Sequence, residues 1–301
     1  MKSTRSAIGT ALLLGVMLTG PGIPARAHAD ETVGPIMSMP GMNVFRRFAA
    51  DDPQALFSFY DKVLGHRALT AYDVGERTAV TTFQAGAGPS QLKFTGENNE
   101  QYQPGGIDNA TGMRLWTFFY SDRAALTERF AAHGLPAPAF EPTGANGQLS
   151  AIVEDPEGEL VQLIITGDPP GTTYAEIEIG LTVSDLDRSR SFYRDFVGLE
   201  ELEPVYDPIF DTMKYPYRHG TTTISLRHFG PELPADTGTG GIQYVVSDVE
   251  LVDRLTRERN IEIKQELSTL QGFGLRTIWL GDPDGITNYF AQTGQRRPAG
   301  Q

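Results

Sequence analysis

Residues 181–199 read LTVSDLDRSRSFYRDFVGL, and residues 52–65 read DPQALFSFYDKVLG. In each, an Asp (Asp52, Asp185) stands eight residues before a Tyr (Tyr60, Tyr193) that follows a Phe, and a Gly (Gly65, Gly198) comes five residues later. Both copies then close on one turn sequence, Asp155-Pro156-Glu157-Gly158 and Asp282-Pro283-Asp284-Gly285. Similarity at fixed spacing marks a duplicated structural unit.

Each copy starts with a helix. Asp52 caps one with Pro53 at its first position, and Asp185 caps the other. Leu56, Phe59, Tyr60, Val63 and Leu64 form one apolar stripe, as do Ser189, Phe192, Tyr193, Phe196 and Val197. Ahead of the second helix, Ile177, Ile179, Leu181 and Val183 alternate with Glu176, Glu178, Gly180 and Thr182, the period of a half-buried strand. Strands are predicted over 78–84, 91–95, 213–217 and 221–228. The pattern recurs inside each copy: strands 116–120 and 242–246 lead to helices after Asp122 and Asp248, and the last strands run over 160–165 and 287–292. The reading is four βαβββ units in two tandem modules, residues 41–168 and 174–294, joined by the linker Gly167–Gly171. Antiparallel-rich sheets with helices on one face make the fold α+β.

The rest of the chain bounds what such modules can do. Over 301 residues there are 38 Asp+Glu against 25 Lys+Arg and no Cys, which excludes disulfides, thiolate metal sites and a Cys nucleophile. Residues 1–29 read as a secretory signal: Lys2 and Arg5, an apolar run 7–20, and the small-x-small site Ala27-His28-Ala29. That run falls short of the ~20 residues that span a bilayer. Cleavage removes three basic residues and no acid, moving the net charge from −13 to −16. So acidic a chain has no electrostatic footprint for nucleic acid or anionic lipid. The expectation is an exported protein, periplasmic or secreted, with residues 30–40 as a linker, 295–301 as a tail, and a monomeric or homodimeric state.

The motifs at 181–199 and 282–285, with their copies, resemble the vicinal oxygen chelate superfamily, which includes glyoxalases, bleomycin-binding proteins and extradiol dioxygenases. The resemblance implies that each module curls into a cup, a partly open barrel. It also implies one divalent metal held by His, Glu or Gln from the first, fifth and last strands. By count from the capping Asp and the turn Gly, those positions hold Glu178, Gly241 and Tyr289 in module two, and Phe45, Leu115 and Gln162 in module one. Neither set is intact. Glu178 is the lone candidate metal ligand, and the cofactor stays open. His66, His133, His219 and His228 lack ligand spacing and read as structural or solvated, with His66 starting a surface strand.

Other polar residues share the cup-facing phase: Gln91, Lys93 and Thr95 in module one, and Thr223, Ser225 and Arg227 in module two, with Arg47 in phase with Phe45. An inward cation meets either a buried acid, such as Arg227 with Glu178, or an anionic ligand. Tyr206, Phe210, Tyr215, Tyr217 and Tyr289 read as plain core or as the wall of a pocket for a flat molecule. The loop Gly96–Gly112 reads as a lid over module one or as an idle surface loop.

Two functions follow. One is an enzyme with a degraded metal triad, performing lyase, isomerase or ring-cleavage chemistry on a small oxygenated molecule, aromatic or anionic in character. Glu178 and Tyr289 would be its catalytic residues, and Arg227, Gln243, Tyr215, Tyr217, Gln162 and Lys93 its substrate contacts. The other is a non-catalytic protein of the bleomycin-resistance type that sequesters such a molecule.

Overall fold

In the computed structural model, the described residues are 31–48, 53–74, 78–96, 103, 105–143, 147–270 and 274–294. The signal, Asp52 and the tail lie outside them, as does much of the loop after Gly96. The first unit comprises β1 (Asn43–Phe48), helix α1 (Gln54–Ser58), β2 (Arg67–Ala68), β3 (Tyr72–Val74), β4 (Thr78–Gln84) and β5 (Gln91–Gly96). The second has β6 (Gly112–Tyr120), α2 (Arg123–Ala132), β7 (Glu141–Pro142), β8 (Leu149–Glu154) and β9 (Leu160–Ile165). The third has β10 (Ile177–Thr182), α3 (Leu186–Arg190), β11 (Glu200–Glu201), β12 (Val205–Asp207), β13 (Thr212–His219) and β14 (Thr222–Arg227). The fourth has β15 (Gly240–Val245), α4 (Val249–Glu258), β16 (Ile263–Leu270), β17 (Leu275–Gly281) and β18 (Thr287–Thr293).

Three of the helix starts carry the Asp caps read from sequence, whereas Asp52 lies outside the described residues and Pro53 stands at the cap of α1 and not at its first position. Asp122, Asp185 and Asp248 accept hydrogen bonds from the backbone N–H of Ala125, Arg188 and Leu251 at 2.9, 3.0 and 3.1 Å, satisfying donors that a helix start leaves unpaired. Both apolar stripes are buried, from Leu56 to Leu64 and from Ser189 to Val197. In each copy the helix widens to a π-helical stretch at the repeated aromatics, over Phe59–Val63 and Ser191–Phe196. There the Tyr60 hydroxyl donates to Asp155 Oδ2 (3.2 Å) and the Tyr193 hydroxyl to Asp282 Oδ2 (2.8 Å). The repeated Tyr and the repeated turn are thus one device: the helix of a module's first unit grips the closing turn of its second. Aromatic packing follows the same lines, with Phe59 edge-on to Phe130 and Tyr60 edge-on to Phe118.

The sheets obey a different rule. One runs β16-β17-β18-β15-β1-β5-β4-β2, with β3 on β4. The other runs β11-β13-β14-β10-β6-β9-β8-β7, with β12 on β13. β1 pairs antiparallel with β15, and β10 antiparallel with β6. Each nine-stranded sheet therefore joins the first unit of one module to the second unit of the other. Helical cores form within modules, and concave sheet faces form between them. Neither sheet closes on itself.

Residues 33–39 run along the second module. Val33 N–H donates to Phe196 O (3.0 Å), Ser38 N–H to Val245 O (2.9 Å), and His219 Nε2 lies 2.7 Å from Met39 O. Among the described residues no helix is long and apolar enough to cross a membrane.

Candidate functional site

Sheet pairing places the predicted residues in two cups. The first, on the sheet centred on β1 and β15, holds Lys93, Gln243 and Tyr289. The second, on the sheet centred on β10 and β6, holds Glu178, Arg227 and Gln162. The expected grouping of Glu178 and Arg227 with Tyr289 and Gln243 is therefore corrected, because the units exchange sheet partners.

In the second cup, Glu178, Thr117 and Gln162 are in register across β10, β6 and β9. Thr117 donates to Gln162 Oε1 (3.0 Å), and Gln162 Nε2 donates to Ser150 Oγ (3.0 Å). Lys214 Nζ donates to both Glu178 oxygens at 2.9 and 3.1 Å. Arg227, fully buried, donates to Asp207 Oδ2 (2.8 Å) and stands 3.9 Å from Glu178. Its guanidinium lies over the Phe210 ring, 5.6 Å from the centroid. Burial alone would raise the Glu178 carboxyl pKa, but Lys214 and Arg227 outweigh it and hold the group below its ordinary value. Two cations meet two acids here, so this cup is internally neutralised. Lys214 was missed from sequence, although alternation with Tyr215 and Met213 places it on the cup phase.

Tyr215 and Tyr217 do share a face, as alternation predicts, but it is not the cup face. They pair with Leu226 and Ile224, out of phase with Arg227. The Tyr217 hydroxyl donates to Glu201 (2.8 Å) and accepts from Arg190 Nε (3.0 Å), while Arg190 also lies over the Tyr215 ring. These two residues serve the helical side, which corrects their placement as substrate contacts. Tyr206 is exposed and bonds Asp211.

In the first cup, Phe45 pairs in register with Lys93 on one side and Gly241 on the other. Gln243 pairs with Asn43 and with Tyr289. Trp279 and Tyr289 stack at 4.9 Å and 19°. Phe45 reaches both rings, at 6.3 and 5.5 Å, although β1 and β17 are separated by two strands. Strands about 4.8 Å apart bring such side chains together readily where the sheet curls. Lys93, 9% exposed, reaches over β1 to donate to Gln243 Oε1, which also accepts from Asn43 Nδ2 at 2.9 Å. Its partner is an amide, and burial pushes the ammonium pKa down to about 8. Further along the same face lies a cavity of about 340 Å³, lined by Arg47, Lys264, Glu262, Trp279 and Thr287 among others. Asn43 and Trp279 were missed, though Asn43 shares the phase of Phe45 and Arg47.

The histidines do not gather. His66 is buried, not at the surface: its Nδ1 accepts from Gly86 N–H and its ring packs on Tyr60 and Phe118. Burial drives its pKa down to about 3. His228 Nδ1 lies 2.9 Å from Val183 O, and His133 ends α2. Among the described residues no group of three or more His, Asp or Glu could hold a metal ion. The described part of the loop before Gly112 is tied to buried Arg114, which takes the carbonyls of Gln103, Gly105 and Gly106 and the carboxylate of Asp236. Ile107 O also accepts from Thr182 of β10. This part of the loop belongs beside the second cup.

The family model described as Glyoxalase/Bleomycin resistance protein/Dioxygenase superfamily matches residues 42–163 and 177–290. The chain belongs to this superfamily. A lactoylglutathione lyase of Arabidopsis thaliana is 26% identical over 249 residues, 79% of this chain and 87% of the relative. One of Oryza sativa is 26% identical over 238 residues, 75% of this chain and 80% of the relative. Glyoxalase I from Zea mays superposes with a TM-score of 0.65 at 21% identity, covering 85% of this chain and 92% of that one. A putative dioxygenase from Bacillus subtilis does so with a TM-score of 0.58 at 16% identity, covering 85% and 86%. These two structures share the superfamily's fold with the chain.

Proposed function

We propose that the protein is an exported, metal-independent member of the superfamily that binds a small oxygenated molecule in its first cup and acts on it by lyase or isomerase chemistry. The observation that carries this reading is Lys93: a buried ammonium on the strand beside Phe45, hydrogen-bonded to an amide. Buried, uncompensated ionisable groups in concave sites are functional candidates. The aromatic trio suits a flat apolar body.

A divalent metal, implied by the family, does not fit either cup. In the first, the ligand positions hold Phe45, Gly241 and Tyr289, and the Lys93 ammonium occupies the acceptor oxygen of the nearby amide Gln243. A second cation beside it would be repelled, and among the described residues no carboxylate bonds Lys93 to offset the charge. In the second, both Glu178 oxygens already serve Lys214. The reading therefore includes a degraded metal site and routes no step through a metal.

The mature protein, stripped with a chelator and dialysed, is expected to keep its full activity and melting temperature. It would be assayed first on lactoylglutathione, since its relatives carry that activity in their names. Activity that disappears on stripping and returns with one bound metal per chain would sink the reading. Export rests on the sequence of residues 1–29, and N-terminal sequencing of secreted material is expected to begin at Asp30. Sequestration without turnover is a second reading. It is favoured by the amide partner of Lys93, which has no proton-exchanging role at neutral pH.

A further inference from the structure

We propose that Lys93 is the resident cation of the first cup, and that with Arg47 it makes this cup a receptor for a small organic carboxylate with a flat apolar body. This rests on the reading of the first cup as the binding site and names the class of molecule it takes.

The contrast between the two cups carries the inference. In the second, each buried cation has its acid: Lys214 has Glu178, and Arg227 has Asp207. In the first, among the described residues, Lys93 meets only the amide oxygen of Gln243, and Arg47 has no side-chain partner. Half-buried Arg47 also has its pKa lowered by desolvation, with no opposing charge to offset it. In the cavity beside Arg47, two cations, Arg47 and Lys264, face one acid, Glu262. Lys264 donates to Gly285 O and Thr287 Oγ1 and so already has partners. Removing a cation from water is costly unless an opposite charge or several hydrogen bonds replace its hydration. An anionic ligand would supply that missing charge.

Geometry narrows the class. Lys93 is in register with Phe45, and Arg47 lies two residues further along β1, roughly 6–7 Å for an extended strand. The two cations are thus offset along one face, and Phe45, in register with Lys93, reaches the Trp279–Tyr289 stack beside them. A compact aromatic or conjugated acid can place its carboxylate against Lys93, its ring against the aromatic trio, and a second oxygen toward Arg47. Its neutral amide would fit the same space and lose the charge-assisted hydrogen bonds.

The test uses acid–amide pairs on the chelator-stripped mature chain: benzoate with benzamide, phenylacetate with phenylacetamide, and benzoylformate with its amide. Affinity is read by calorimetry, and seating in the first cup by fluorescence, since Trp279 is one of only two tryptophans and the other, Trp116, is buried on the helical side. At least one acid is expected to bind about tenfold or more tightly than its amide and to change Trp279 emission. In Lys93→Met that preference should fall to within about twofold, Lys93→Arg should restore part of it, and Arg47→Gln should weaken the acid several-fold. Circular dichroism checks that each variant is folded. Acids and amides binding alike, or a preference unchanged in Lys93→Met, would overturn the carboxylate proposal and leave the first cup as a binding site. Binding of no acid in the panel overturns it as well. If, in addition, Trp279 emission responds to neither acids nor amides, the reading of the first cup falls too.

Discussion

Replacing Arg46 by Met should lower the unfolding free energy by about 3–5 kcal/mol, the usual cost of leaving a buried charge without its partner. Arg46 is 1% exposed on β1, on the face opposite the cup. It donates through Nη1 to Asp155 Oδ2 and through Nη2 to Glu157 at 2.9 Å. Asp155 in turn receives the Tyr60 hydroxyl and, at its other oxygen, the backbone N–H groups of Glu157 and Glu159. Removing the guanidinium strands the Asp155 carboxylate beside Tyr60, inside the core of the first module. Urea unfolding monitored by fluorescence would show the midpoint drop. The double variant Arg46→Met with Asp155→Asn should recover a large part of the loss, because it removes the orphaned charge as well. A midpoint unchanged in the single variant would mean that water reaches Asp155 and that the ion pair contributes little.

The equivalent turn of the second module should respond in the opposite direction: Asp282→Asn is expected to stabilise the protein at pH 8. Asp282 receives Tyr193 and the N–H groups of Asp284 and Ile286, as its counterpart does. Among the described residues no arginine bonds it, because the position on β10 that matches Arg46 is Ile179. Burial, with the charge of Asp284 adding to it, pushes the Asp282 carboxyl up to about 7. A carboxyl raised in the folded state binds its proton more tightly there than in the unfolded chain. Stability therefore falls as pH rises from about 4 to about 7, and stays at the lower level above that. A carboxyl raised to about 7 by burial loses at most about 4 kcal/mol of stability on ionising. Asparagine can keep the two backbone acceptor contacts while carrying no charge. Thermal melts of the wild type should show a midpoint that declines between pH 5 and pH 8, and the Asp282→Asn variant should be flatter and melt several degrees higher at pH 8. Parallel curves for the two proteins would show that Asp282 does not titrate in this range.

These two residues show how far the amino-acid sequence reaches. Spacing alone revealed that Tyr60 and Tyr193 are equivalent, and so are the two Asp-Pro-x-Gly turns. Apolar periodicity correctly placed Leu56, Phe59, Val63 and their copies in the core, since a stripe on a helix can be buried on only one side. Alternation likewise put Lys93 in phase with Gln91 and Thr95, and Arg227 in phase with Thr223 and Ser225, because side chains reverse at every residue of a strand. It also put Tyr215 and Tyr217 together. It could not say which face was the cup, since both faces of that sheet are largely covered.

The composition of each cup was out of reach for a stronger reason. Four units of similar pattern can pair edge to edge in more than one way, and backbone hydrogen bonds carry no label for the strand they join. Which strand lies beside β1 is chosen by packing far away in sequence. That packing pairs β1 with β15 and separates Glu178 from Tyr289 and Gln243. Whether a buried cation has an acid beside it is decided by packing as well: within the third unit Lys214 meets Glu178 and Arg227 meets Asp207, while Lys93 reaches across to the fourth unit and meets an amide. Local sequence thus determined the units, their helices, their caps and the phase of each strand, because those depend on neighbours a few residues apart. Only the tertiary structure decided which units share a cup and where the unbalanced charge lies, because strand pairing and electrostatic compensation join residues on different strands that no local pattern links.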